Sequence, residues 1–223
     1  MKYLNKKYYI WILIGISVLF YWGYIKLFPF TETPSFFDYI KPIPSVVGFD
    51  TFIAFIFSKW LWKCKLFYKW LVPFPNLNGT WKGYIKSNWI DPKTGKKAEN
   101  IPTILTIEQT LSNISCVMRT GEMRSYSFIS GFVIDFDNQI LKLVYTYDSI
   151  PRQTVKDRSP QHMGTMYFDV IKNKGKWELV GDYWTARETT GRIELSFWKK
   201  EKIEKYPDDL GEHSVSKIRK DEE

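Results

Sequence analysis

Residues 8–25, YYIWILIGISVLFYWGYI, run for eighteen positions without a charge, and any fold of this chain must first accommodate them. A stretch of that length and apolarity can cross a bilayer as a helix. Trp11 near one end, and Tyr21, Trp22 and Tyr24 near the other, suit an interfacial aromatic belt. The bulky Lys26, Leu27, Phe28, Pro29 and Phe30 that follow offer no small-residue cleavage site, which argues against a secretory leader. A second apolar run, 43–62, is interrupted only by Asp50 and Lys59. Lys59 lies near the end, where its ammonium can reach the headgroups. Asp50 near mid-bilayer costs about 2.5–3.5 kcal/mol on insertion scales. Either the span shifts toward 52–70 and leaves Asp50 at the interface, or Asp50 makes a helix–helix contact in an oligomer.

Pro29, Pro34, Pro42 and Pro44 lie in the connector, so residues 1–72 read as a transmembrane hairpin with spans at about 8–28 and 43–62. Lys2, Lys6 and Lys7 precede the first span, Lys59, Lys63, Lys65 and Lys69 close the second, and the connector is neutral. The positive-inside rule then places both flanks, and everything downstream, in the cytoplasm. Most of the net charge of +8 is accounted for here, so it speaks of topology and not of DNA or RNA binding. Cys64 and Cys116 are far apart in the sequence and suggest two unpaired thiols in a reducing compartment.

After Pro73 and Pro75 the pattern changes to short alternating runs between turn signals. Eight strands are expected, at 79–88, 101–109, 113–119, 123–134, 139–147, 163–171, 176–185 and 189–198. Hairpin-length connections pair them antiparallel in sequence order. The expected fold is therefore two N-terminal transmembrane helices followed by an all-β domain, 76–199, an eight-stranded up-and-down barrel without sheet edges. The opening Asn78-Gly79-Thr80-Trp81 resembles the Gly-x-Trp start of lipocalin (calycin) barrels, which implies that Trp81 closes the barrel base. Residues 200–223 alternate charge signs and are expected to form a mobile tail.

In such a barrel the loops after strands one, three, five and seven share the end opposite to where the chain enters. All six arginines of the domain, Arg119, Arg124, Arg152, Arg158, Arg187 and Arg192, lie in or near those loops. Guanidinium groups suit phosphate recognition better than lysines do. Tyr126, Tyr147, Tyr183, Trp184 and Trp89 lie at the same end and are able to stack on bases. Loop position and barrel parity thus nominate Arg119, Arg124, Tyr126, Tyr147, Arg152, Arg158, Tyr183, Trp184, Arg187 and Arg192 as ligand-binding, with Asp50 as an oligomer contact in the membrane. The ligand class is small, phosphorylated and base-bearing. Alternatively, the rim is simply a solvated basic one whose arginines pair with Glu122, Asp148, Asp157 or Glu188, each pair worth little.

Catalysis finds little support. His162 and His213 are the two histidines, no Cys/His cluster has metal-ligand spacing, and there is no Gly-rich phosphate loop, so no metal or cofactor is expected. A second reading has inward residues such as Leu105, Ile107, Met166 and Phe168 lining a greasy pocket, in a membrane-tethered carrier of an apolar ligand.

A membrane hairpin at 8–25 and 43–62 followed by a barrel opening at 78–81 resembles the two-transmembrane β-barrel effectors of bacterial CBASS anti-phage systems. These are STING-like membrane effectors without a STING fold. The resemblance implies a cyclic dinucleotide ligand made by a nucleotidyltransferase upon infection. It further implies homo-oligomerisation in the inner membrane, contact with lipids, and membrane disruption that kills the infected cell.

Overall fold

The computed structural model describes residues 4–30 and 32–220, so Lys2 and the last three residues of the expected tail lie outside the described residues. The chain divides into two compact units, 1–75 with 110–112, and 76–109 with 113–223.

In the first unit, helix α1 (Lys6–Leu27) is followed by the short α2 (Phe36–Ile40) and by α3 (Ile43–Lys59). Segments Lys6–Leu27 and Phe36–Lys59 are each long and apolar enough to cross a membrane. The helices of this hairpin meet through aromatic contacts: Phe20 stacks on Phe49 with ring centroids 4.2 Å apart, and Tyr9 lies 6.2 Å from Phe57. Between these contacts the Ser17 hydroxyl donates to Asp50 Oδ2 at 2.5 Å. Helix α3 does not run on through 60–70. It ends at Lys59, and Leu61–Lys63 and Lys65–Phe67 are 3-10 turns. Asp50 therefore sits in mid-helix, and a serine on the facing helix meets part of its need for a partner.

The second unit is a closed barrel of eight antiparallel strands in sequence order. They are β1 (Gly79–Ser87), β2 (Ile101–Gln109), β3 (Ile114–Arg119), β4 (Met123–Asp135), β5 (Ile140–Pro151), β6 (His162–Asn173), β7 (Lys176–Thr185) and β8 (Thr190–Lys199). Pairing of β1 with β8 closes the sheet. Strands β5 and β6 run further than their apolar pattern indicates. Ser149 pairs with His162, which pulls part of the expected loop into the wall.

Alternation sends Leu105, Ile107, Leu143, Phe168 and Leu195 inward, all essentially buried. Trp81 is buried at the start of β1, with its indole N–H donating to the Leu77 carbonyl at 3.0 Å and its ring edge-on to Phe197. A large ring with its polar handle satisfied can fill the narrow end of a barrel.

The segment beyond β8 differs from expectation. From Lys199 it climbs the outer face of β1, β2 and β3, where the Ile203 N–H donates to Thr80 Oγ1 at 3.0 Å and the Thr106 hydroxyl donates to the Ile203 carbonyl at 2.8 Å. Tyr206 and Val215 are buried, and Ser214–Lys220 forms a final short helix, α4. The sparse apolar residues of this segment land on the barrel wall. Its composition concealed that, because Ile203, Tyr206 and Val215 are widely spaced among charges.

Candidate functional site

At the end of the barrel where β1 runs into β2, and β3 into β4, lies an open cavity. Its floor is apolar, formed by Ile85, Met118, Tyr145, Met166 and Ile193, and its rim is polar, with Glu122, Arg158, His162, Arg187 and His213.

Two tyrosines are set into the wall by glycines on the facing strands. Tyr147 pairs with Gly164 and Tyr183 with Gly191. A Cβ on Gly164 would come within 2.5 Å of the Tyr147 hydroxyl, and one on Gly191 within 2.6 Å of the Tyr183 ring. Each ring thus lies across its neighbouring strand, and any other residue at these glycines would displace it. The Tyr183 hydroxyl donates to Ser87 Oγ at 3.0 Å. Burial raises the pKa of both phenols, so they remain neutral donors and stacking surfaces.

Arg187, in the turn between β7 and β8, reaches the cavity beside these tyrosines. Its Nη1 donates to Ser159 Oγ at 3.2 Å and its Nη2 lies 3.4 Å from His162 Nε2, while its buried Nε has no hydrogen-bond partner. Among the described residues no carboxylate pairs with it. His162 Nδ1 is 3.0 Å from the Pro160 carbonyl, so Nδ1 carries the proton and Nε2 accepts from Arg187. Desolvation lowers the His162 pKa, consistent with that neutral tautomer. Desolvation also lowers the Arg187 pKa, yet guanidinium stays charged at any physiological pH. The result is a half-buried cation whose hydrogen-bond neighbours are neutral, a favourable place for an anion.

Arg158 is the other cavity cation. Its Nη2 donates to Glu122 Oε1 at 2.5 Å and to Ser216 Oγ at 2.9 Å.

The structure brings Tyr147, Arg158, Tyr183 and Arg187 of the expected set to the cavity, and Trp89 with them. It places the remaining six elsewhere. Arg119, Arg124, Tyr126, Trp184 and Arg192 occupy outward positions of their strands, and Arg152 is exposed just beyond β5. Tyr126 bonds Asp148 at 3.2 Å, Trp184 lies against Tyr167, and Arg192 pairs with Glu194 and Asp182. Arg119 is buried under the C-terminal segment, where its Nη1 donates to Thr106 Oγ1 at 3.3 Å. The physical reason is strand parity: Met118 and Ser125 take the inward positions, so Arg119 and Arg124, their immediate neighbours, must face out.

Sequence reasoning named Glu122 only as an ion-pair partner of the rim arginines, which it is for Arg158, and missed His213, Val215 and Ser216 at this site. The available signal was Val215 and Ile218, an apolar pair one helical turn apart within a charged stretch.

The model of the Cap15 cyclic dinucleotide receptor domain matches residues 72–196. The chain is also similar to CD-NTase-associated protein 15 of Staphylococcus schleiferi, at 27% identity over 157 residues, covering 70% of this chain and 79% of that protein. The matched segment takes in the whole cavity wall except its C-terminal contribution, and on that basis the chain belongs to the Cap15 cyclic dinucleotide receptor family.

Proposed function

We propose that this chain is a CBASS membrane effector that takes a cyclic dinucleotide into the cup of its barrel. Arg187 carries the reading: a cavity-lining guanidinium without a carboxylate partner among the described residues, its Nε unsatisfied, set beside two tyrosines. A phosphate oxygen supplies the missing acceptor, and Tyr147, Tyr183 and Trp89 give the bases flat, partly apolar surfaces to lie against. Family membership supports the same ligand class. In this reading the cup binds its ligand and does not turn it over.

In this reading the hairpin crosses the bacterial inner membrane, with both flanks and the barrel in the cytoplasm. Ligand drives assembly only as far as it binds the assembled state more tightly than the single copy. Asp50 is then a contact between copies within the membrane: Ser17 satisfies one of its oxygens, while Oδ1 is buried without a partner. Assembly disrupts the bilayer and ends the infected cell.

The apolar floor of the cup gives the carrier reading its one observation in favour, and ionic strength separates the two. Full-length protein in lipid nanodiscs is titrated calorimetrically with cyclic dinucleotides of adenosine, guanosine and uridine. Binding that weakens steeply as salt rises supports a phosphate-centred site. Binding of fatty acids with no salt dependence, and of no cyclic dinucleotide, rejects it. In liposomes containing the protein, dye should escape only after ligand is added.

A further inference from the structure

The C-terminal segment does more than cover the outer wall. At the top of its climb, α4 reaches the cup: Val215 is buried against Ala98 and Ile101 with Ile85 and Trp89 beside them, and His213 and Val215 line the cavity. Glu122, in the turn between β3 and β4, ties this segment down. Its Oε1 accepts from Arg158 Nη2 at 2.5 Å and from the Ser216 hydroxyl, and His213 Nδ1 lies 3.3 Å away. One carboxylate, 5% exposed, thus joins the β3–β4 turn, the β5–β6 connection and α4.

We propose that α4 is a latch on the ligand cup, closed by Glu122, and that an entering phosphate opens it by taking Arg158 from Glu122. The proposal rests on the cyclic dinucleotide reading above and assigns its regulation. Arg158 already faces the cavity, so the exchange needs only a new acceptor for a donor in place. A phosphate beside the buried Glu122 is repelled by it. Glu122, once it loses Arg158, is a buried charge short of a partner, a costly state that exposure to water relieves. Exposing Glu122 breaks its bond to Ser216, and the move of Arg158 to the phosphate breaks the 2.9 Å bond that Arg158 also gives Ser216; the Ser214 hydroxyl on the Glu99 and Asn100 carbonyls and the burial of Val215 are what still hold α4. A helix of seven residues does not persist in water unsupported. Val215 also occupies apolar wall next to Trp89, where a base would lie. Ligand and latch therefore compete for one cation and one stretch of apolar wall. The match to the receptor-domain model ends at residue 196, so the latch lies beyond the matched residues.

The test uses full-length protein in nanodiscs and the same panel of cyclic dinucleotides, with two variants. Glu122→Gln keeps the shape and an acceptor for Ser216 but removes the negative charge that holds Arg158. A chain ending at Gly211 keeps every barrel strand and lacks α4. Each variant should bind roughly tenfold more tightly than the parent chain, within the range of ordinary site-to-site couplings. The two changes combined should gain less than the sum of the two, since both act on the one cluster centred on Glu122. Hydrogen exchange at the amides of 214–218 should speed up in the parent chain when ligand is added. Slower exchange there, or variants that bind no tighter than a parent chain that does bind, overturns the latch and leaves the cyclic dinucleotide reading standing. Failure of all three proteins to bind any member of the panel rejects that reading, and the latch with it.

Discussion

Arg187 and Arg192 flank a single turn at the same end of the barrel, yet they live in different surroundings. Arg187 lines the cavity, bonded to a serine and a histidine, with a buried nitrogen unsatisfied. Arg192 stands outside on β8, about half exposed, between Glu194 and Asp182. The outer arginine is neutralised where it stands, whereas the inner one keeps its charge available. Position along the barrel axis brings a cation to the rim; only its direction from the wall decides whether a ligand meets it.

The sharpest way to break that comparison is to remove each charge in turn. Arg187→Ala should cost about 2–5 kcal/mol of cyclic dinucleotide affinity, as losing a desolvated charge partner does. That corresponds to roughly 30-fold or more in Kd, measured by titration at fixed salt. Arg192→Ala should change affinity by less than about twofold, because an exposed pair contributes at most about 1 kcal/mol even to stability. Equal losses in the two variants would mean that the ligand bridges inner and outer faces, and the cup would no longer describe the site.

The same distinction explains how much could be read in advance. Hydrophobic alternation and turn residues carried the strand order, because burying one face of a strand forces a period of two. The arginine count at one end was equally legible, since an up-and-down path fixes which loops share an end. Parity within the rim was harder to see. Arg119 and Met118 are adjacent, and only the register opposite Ile104 and Leu105 tells which points in. The C-terminal contribution left almost no pattern, because Val215 is held by Ala98 and Ile101, more than a hundred residues earlier. Contacts that remote have no period to show.

A second contrast between the faces is protonation. His162 and His213 both line the cavity, and desolvation is the largest influence on each, lowering both pKa values from the usual 6.5. For His213 the nearby Glu122 opposes this and does not outweigh it. A histidine held neutral in the folded state takes up a proton more readily when unfolded. Its contribution to stability is therefore complete above about pH 6.5 and is lost as the pH falls from there through the folded value. The barrel's Tm, followed by calorimetry, should drop on acidification from pH 7.5 to about 5.5. His213→Gln should flatten part of that slope. An unchanged slope in the variant would show that His213 does not titrate in this range.

The smallest effect comes from Arg119, a buried arginine that faces outward. Arg119 lies under the C-terminal segment with its Nε unpartnered, and burial lowers its pKa although Glu204 favours its charge. Thr106 Oγ1, at 3.3 Å, is a weak acceptor for a group that gives up so much hydration. Such a cation is often replaceable by an apolar side chain of similar length at no cost in stability. Arg119→Met should therefore leave Tm unchanged or slightly raised, and should move cyclic dinucleotide affinity by less than about twofold. If affinity instead fell as steeply as in Arg187→Ala, the charge of Arg119 would be felt through the wall, and direction from the strand would no longer separate a binding arginine from a structural one.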